Sequence, residues 1–208
     1  MGFNKNLVIL LCFPLLLLSG CATTSQKIPI DLTSVQPGTQ VAFKGKPVRL
    51  LGSPIVVGKP LPSVELVDAM NMSAVNLSKE RGFVLLLSIV PSLDTPVCEA
   101  QTHYLGEAGQ GLPKNVKRIV ISRDTPFAQA RFAKEAKLTS LEYLSDYKQG
   151  DFARSVGLLT EGLMIFARSV IVVDKQGTVQ YIQVVPEMSH LPDLDGAFRK
   201  ARELAGGR

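Results

Sequence analysis

Tryptophan is missing from the 208 residues, histidine occurs only twice and cysteine three times. Each scarcity closes a class of function. His103 and His190 are far apart in the chain and lack partners at metal-ligand spacing, so they read as surface residues rather than a metal centre. Cys12 and Cys21 belong to an apolar leader, which leaves Cys98 alone in the body of the chain. A lone thiol there has no internal disulfide partner, and a disulfide-stapled scaffold is excluded. No glycine-rich phosphate loop, no Cys-x-x-Cys and no internal repeat is present. The net charge of +5 is dispersed among acidic residues without a basic run, which argues against nucleic-acid binding.

What is there begins with the leader. The apolar run Leu7 to Leu18 follows a single basic residue, Lys5, and is closed by Ser19-Gly20-Cys21. It falls short of the ~20 apolar residues a membrane span needs and reads as the core of a signal peptide, residues 1–20. Leu18-Ser19-Gly20-Cys21 resembles the bacterial lipobox, which implies that Cys21 is lipidated and becomes the mature N-terminus. Ala22 follows in place of the aspartate that resembles an inner-membrane retention signal. The expected location is therefore the cell envelope, lipid-anchored, on the outer membrane facing the periplasm where the cell has two membranes. Residues 21–40 are polar, broken by Pro29, Pro37 and Gly38, and read as a flexible tether.

Residues 41–208 carry the patterning of one folded domain. Val41-Ala42-Phe43 and Val48 to Leu51 flank Lys44-Gly45-Lys46-Pro47, which predicts an N-terminal β-hairpin. Val64 to Val67 and Val75 to Leu77 are short strand candidates, and Phe83 to Val90 is continuously apolar, as a strand buried on both faces would be. A helix is expected from Val97 to about Ala108, a buried strand at Arg118 to Ser122, and a helix opening at Pro126. Leu141 to Leu144 and Asp151 to Val156 predict a strand and a short helix. Two more strands, Ser169 to Val173 and Val179 to Val184, are joined by Asp174-Lys175-Gln176-Gly177, and a helix from Leu194 closes the chain. The order implies an α/β fold, a central mixed sheet with helices on both faces.

Pro91-Ser92-Leu93-Asp94-Thr95-Pro96-Val97-Cys98 leaves the buried strand and enters a helix. A cysteine in the first helical turn faces the positive end of the helix dipole and free backbone N–H groups, both of which favour the nucleophilic thiolate. Thr95, three residues earlier, is placed to aim its hydroxyl at the sulfur, and Pro91 and Pro96 stiffen the loop. On these grounds alone a buried structural cysteine remains equally open.

The same run resembles the Pro-x-x-x-Thr-x-x-Cys signature of the peroxiredoxins, and more closely the Pro-Ser-[Ile/Leu]-Asp-Thr-x-Val-Cys run of the thiol peroxidases within them. Ser122 to Phe132 and Ala167 to Val172 resemble two further blocks of that family, in order. The resemblance implies a thioredoxin-like fold and a peroxidatic Cys98 that attacks peroxide and becomes a sulfenic acid. It implies that Thr95 hydrogen-bonds the sulfur and the peroxide, that Arg168 stabilises thiolate and leaving oxygen, and that Pro91 shields the thiolate. It further implies hydrogen peroxide or organic hydroperoxides as substrate, no cofactor and a homodimer. One position departs. The family's second block ends in a resolving cysteine, and Ala133 stands there. An internal disulfide cycle is therefore closed, and an external thiol, a thioredoxin-like protein or a small molecule, is the expected reductant. Two alternatives stay open: a thiol–disulfide oxidoreductase, against which Thr95 occupies the place of a first Cys-x-x-Cys cysteine, and a degenerate redox-sensing or binding module.

Overall fold

The protein is described by a computed structural model covering Met1 and residues 27–206. The leader and Cys21 lie outside the described residues. Twelve strands and four helices follow one another from Ile30 to Ala205. They are β1 (Ile30–Asp31), β2 (Gln40–Phe43), β3 (Lys46–Leu51), β4 (Leu66–Asp68), β5 (Ala74–Val75), β6 (Val84–Ile89), α1 (Pro96–Glu107), β7 (Val116–Ser122), α2 (Pro126–Glu135), β8 (Glu142–Ser145), α3 (Asp151–Ser155), β9 (Leu159–Thr160), β10 (Ser169–Val173), β11 (Val179–Val184), β12 (Leu191–Pro192) and α4 (Leu194–Ala205).

Seven strands form the central sheet in the order β11-β10-β6-β7-β8-β4-β5. β6, β7 and β8 run parallel, and β10 and β4 join them antiparallel. The sheet is mixed for a connectivity reason. Helical crossovers join the three parallel strands, whereas a tight turn at Asp174–Gly177 returns β10 directly into β11. Alternate residues of β6 feed two cores: Leu85, Leu87 and Ile89 on one face, Val84 and Leu86, with Val90 just past the strand, on the other. The second face packs under α1, α2 and α4 through Leu105, Ala133 and Phe198. The first is covered by Phe152 of α3 and by Val41 and Leu50 of the hairpin β2–β3. β3 also pairs with β9, so the hairpin belongs to a separate three-stranded sheet.

Two expectations need correction. The stretch Val75 to Leu77 is not one strand: β5 ends at Val75, and the Asn76 side chain accepts from Ser78 N at 3.1 Å, capping a 3-10 turn over Leu77–Lys79. A local side-chain cap outcompetes the ladder there. The tether is also shorter than residues 21–40, because from Ile30 the chain is held to the body. β1 pairs parallel with β12, and Gln183 Nε2 donates to the carbonyls of Asp31 and Thr33 at 2.7 and 3.0 Å. Val35 N donates to Val184 O, and Pro37 is buried. Backbone groups and the polar side chains of Gln183, Ser34, Asp31 and His190 do this anchoring, which leaves no apolar periodicity to read.

Candidate active site

β6 ends against the loop that leads into α1, so the carboxyl end of a central strand delivers Pro91 to Cys98 to one edge of the sheet. Pro91 is buried, and Asp124 fastens the loop: its carboxylate accepts from Ser92 Oγ and from Leu93 N, both at 2.7 Å, and from Ser122 Oγ at 2.7 Å. The strand ends of β6 and β7 are thereby tied together beneath the loop. Thr95 is the N-cap of α1, Pro96 the first helical residue, and Cys98 lies in the first turn. That turn leaves N–H groups without intrahelical partners and carries the positive end of the dipole.

Cys98 is 0% exposed, and so is the neighbouring Gln101 on the same helix face. Arg168, the residue before β10, is 2% exposed and reaches the sulfur: Nη2 donates to Cys98 Sγ at 3.4 Å. Its other contacts fix the plane of the guanidinium. Nη1 donates to Gln101 Oε1 at 2.8 Å and Nε to the Met188 carbonyl at 2.9 Å. Gln101 Nε2 in turn donates to Ser88 Oγ of β6 at 2.8 Å. Burial pushes the Arg168 guanidinium below its ordinary value, and the adjacent Cys98 pulls it back up. Arginine remains charged through such shifts. Of its three partners, a carbonyl, an amide oxygen and a sulfur, only the sulfur is able to carry negative charge. A buried cation is costly without a counter-charge, so the pair is stabilised when Cys98 is thiolate.

The structure brings Cys98 and Arg168 together, and Pro91 is buried in the loop between β6 and α1. Thr95 is placed differently from the sequence expectation. Thr95 is exposed, in extended backbone at φ −138° and ψ 142°, and its hydroxyl donates to Ser92 O at 3.1 Å rather than to the sulfur. The tight loop turns the hydroxyl back onto the Ser92 carbonyl three residues earlier. A groove of about 410 Å3 opens beside Thr95 and Pro96, bounded across by Phe132 and Glu135 of α2. Ala133 is wholly buried in the core beneath α1 and α2. The histidines are remote from this chemistry: His103 contacts Glu107 along α1 at 2.9 Å, and His190 contacts Asp31 at 3.1 Å.

Gln101, Ser88 and Asp124 were not singled out from sequence as site residues. Two had a signal. Gln101 shares the buried stripe of α1 with Cys98, Thr102 and Leu105, an amide at helical spacing among buried positions. Ser88 is the one polar residue in the run Val84 to Val90. The Met188 carbonyl had none, being backbone.

Met188 is held from the far side of the molecule. Its N–H donates to Ala42 O, and the preceding Glu187 carboxylate accepts from the backbone N–H groups of Lys44 and Gly45 at 3.0 and 2.9 Å. Partial burial alone would raise Glu187; bonds from Ser189, Gly45 and Lys44 outweigh it and hold the carboxyl down at about 2. A depressed carboxyl contributes stability above its unfolded value near 4.5 that disappears as pH falls toward 2. Glu187→Gln should therefore melt a few degrees below the wild type at pH 6, with the gap closing between about pH 4.5 and 2. Thermal unfolding followed by circular dichroism across that range measures it; a gap independent of pH would place the contribution elsewhere.

Residues 56–198 match the family model Redoxin. A thiol peroxidase of Halalkalibacterium halodurans is 36% identical over 162 residues, 78% of this chain and 96% of that protein. The thiol peroxidase of Aquifex aeolicus is 36% identical over 166 residues, 79% and 97% of the two chains. Among solved structures, a peroxiredoxin-like protein from Aquifex aeolicus superposes with a TM-score of 0.76 at 34% identity, covering 82% of this chain and 99% of the other. A thiol peroxidase from Chromobacterium violaceum, at 22% identity and a TM-score of 0.67 over 79% and 96% of the chains, shares the fold. The thioredoxin-like architecture, the cysteine in the first turn of α1 and these relatives agree: the chain belongs to the redoxin family, among the thiol peroxidases.

Proposed function

We propose that the protein is a thiol-dependent peroxidase working through Cys98 alone, anchored by lipid in the cell envelope. The observation that carries the reading is the Arg168 guanidinium, buried and 3.4 Å from Cys98 Sγ at the start of a helix. The thiolate attacks one peroxide oxygen, the S–O bond forms as the O–O bond breaks, and the alkoxide or hydroxide leaves and takes a proton. Arg168 and the helix terminus offer fixed positive charge to both ends of this displacement. Cys98 becomes a sulfenic acid. With Ala133 in the place of a resolving cysteine, an external thiol attacks that sulfur and expels water. A second external thiol then releases Cys98 from the mixed disulfide. The groove beside Thr95 and Pro96 gives such a thiol an approach. Cys98 itself is fully buried, so the first turn of α1 must open locally for either partner to reach it.

A stoichiometric peroxide pulse should leave Cys98 reactive to dimedone, and excess peroxide should carry it to the sulfinic acid. In the Ala133→Cys variant, dimedone labelling should fall by an order of magnitude as a disulfide to Cys98 forms, seen by mass under non-reducing conditions. Absence of both labelling and accelerated peroxide loss in the wild type would replace this reading with a binding module. An acylated Cys21 at the mature N-terminus is the expected mass-spectrometric result for the anchor; an unmodified N-terminus beyond Cys21 would remove it. The reading also makes the protein a homodimer, for which exposed Phe127, Leu163 and Met164 supply apolar surface; sedimentation velocity decides that point.

A further inference from the structure

The chain enters the folded body at Ile30, and apolar surface collects there. Ile30 is 55% and Leu32 78% exposed. Beside them a cavity of about 200 Å3 is lined by Ile30, Ala100, Tyr104, Leu191, Pro192 and Leu194. Two carboxylates, Asp193 and Asp195, also line it and are engaged: Tyr104 Oη donates to Asp195 at 2.7 Å, Asp193 accepts from Gly196 N at 2.9 Å and lies 3.7 Å from Arg199, and the nearby Asp31 pairs with His190. Tyr104 is half-exposed and its ring stacks on Phe198 with centroids 5.9 Å apart. A ring buried on one face with a polar tip suits a membrane interface.

The length of chain ahead of this face decides what covers it. Between Cys21 and Ile30 the backbone reaches at most about 30 Å when fully extended, and about 15–18 Å as a flexible coil. A domain of this size is roughly 40 Å across. A lipid on Cys21 therefore keeps the Ile30 face nearest the bilayer and raises the effective concentration of lipid at that face to the millimolar range. A small apolar contact that would be too weak between free partners becomes populated under that constraint.

We infer that the face formed by β1, β12 and the exposed side of α1 docks onto the lipid bilayer, with an acyl chain seated in the cavity beside Ile30. The proposal rests on the reading that Cys21 is lipidated. The cavity also touches Gln101, whose other side holds Arg168, so docking sets the membrane surface against the α1 side of the peroxidatic centre.

Because the chain contains no tryptophan, a single introduced indole reports on one place. The lipidated mature protein carrying Leu32→Trp is reconstituted in phosphatidylethanolamine–phosphatidylglycerol vesicles with brominated acyl chains. Met70→Trp is the control, in the exposed β4–β5 turn at the sheet edge opposite β11, the strand against which the β1 segment packs. The Leu32→Trp emission should shift to the blue and lose at least half its intensity to bromine, while Met70→Trp emission is unchanged. Adding Ile30→Asp to Leu32→Trp should at least halve the quenching while the protein still floats with the vesicles and still consumes hydrogen peroxide at the unaltered rate. Flotation without quenching overturns the docking proposal alone. Failure to float removes the lipid anchor, and the proposal with it. A blue shift already present without vesicles, in a species sedimenting as a dimer, gives the face to a second copy and likewise overturns it.

Discussion

Replacing Cys98 by serine should stop peroxide consumption, lowering its second-order rate by at least about a thousandfold; removal of a nucleophile in other enzymes costs up to about a millionfold. The argument rests on chemistry rather than shape. A serine hydroxyl is close to isosteric with the thiol and still able to accept from Arg168 Nη2, so the contacts of the first turn persist. It does not ionise near neutrality, and the oxygen it would present is a poor nucleophile toward an O–O bond. The hydroxyl keeps the bond from Arg168 but supplies no counter-charge to that buried guanidinium, a cost of about 1–3 kcal/mol, lower than the stability of a typical domain. Rapid-mixing measurement of peroxide loss, with thermal unfolding as the folding control, tests it. Persistence of the wild-type rate in a folded Cys98→Ser protein would move the chemistry off this residue.

The elements around the site were readable because each carried a local signal. β6 is a continuous apolar run, β10 and β11 flank a turn that needs a left-handed glycine (Gly177, φ 86°), and Pro126 marks the start of α2. The docking of residues 30–37 was not readable, since a two-residue parallel pairing and amide-to-carbonyl bonds leave no hydrophobic period. At the site, Pro91, Cys98 and Arg168 were selected by resemblance, whereas the network that orients Arg168 is an assembly of distant parts. Gln101 and Ser88 come together across a helix–strand contact, and the Met188 carbonyl is set by the far hairpin through Ala42 and Glu187. The hydroxyl of Thr95 went elsewhere because a short loop offered it a nearer acceptor, the carbonyl of Ser92.

This network makes Arg168 the other position of large effect. Arg168→Ala should slow peroxide reduction by about 10²–10³, the range seen when one preorganised donor to a developing anion is lost. The thiolate would lose its buried counter-charge, and the leaving oxygen a fixed cation. Truncation also strands Gln101 Oε1 and the Met188 carbonyl and leaves a void, so it should destabilise the fold by several kcal/mol. That stability loss is why a second variant matters. Arg168→Met fills much of the volume without charge and should recover part of the stability while remaining as slow as alanine. Arg168→Lys keeps the charge but not the fork: one ammonium is unable to span the sulfur, the amide oxygen and the carbonyl at once, and a loss of about 10-fold to 10²-fold is expected. Alkylation of Cys98 by iodoacetamide should also slow in the alanine and methionine variants, and less in the lysine variant, because the sulfur loses its fixed cation. Methionine at position 168 supporting the wild-type rate would show that the charge is dispensable and that Arg168 serves only to pack β10 against α1.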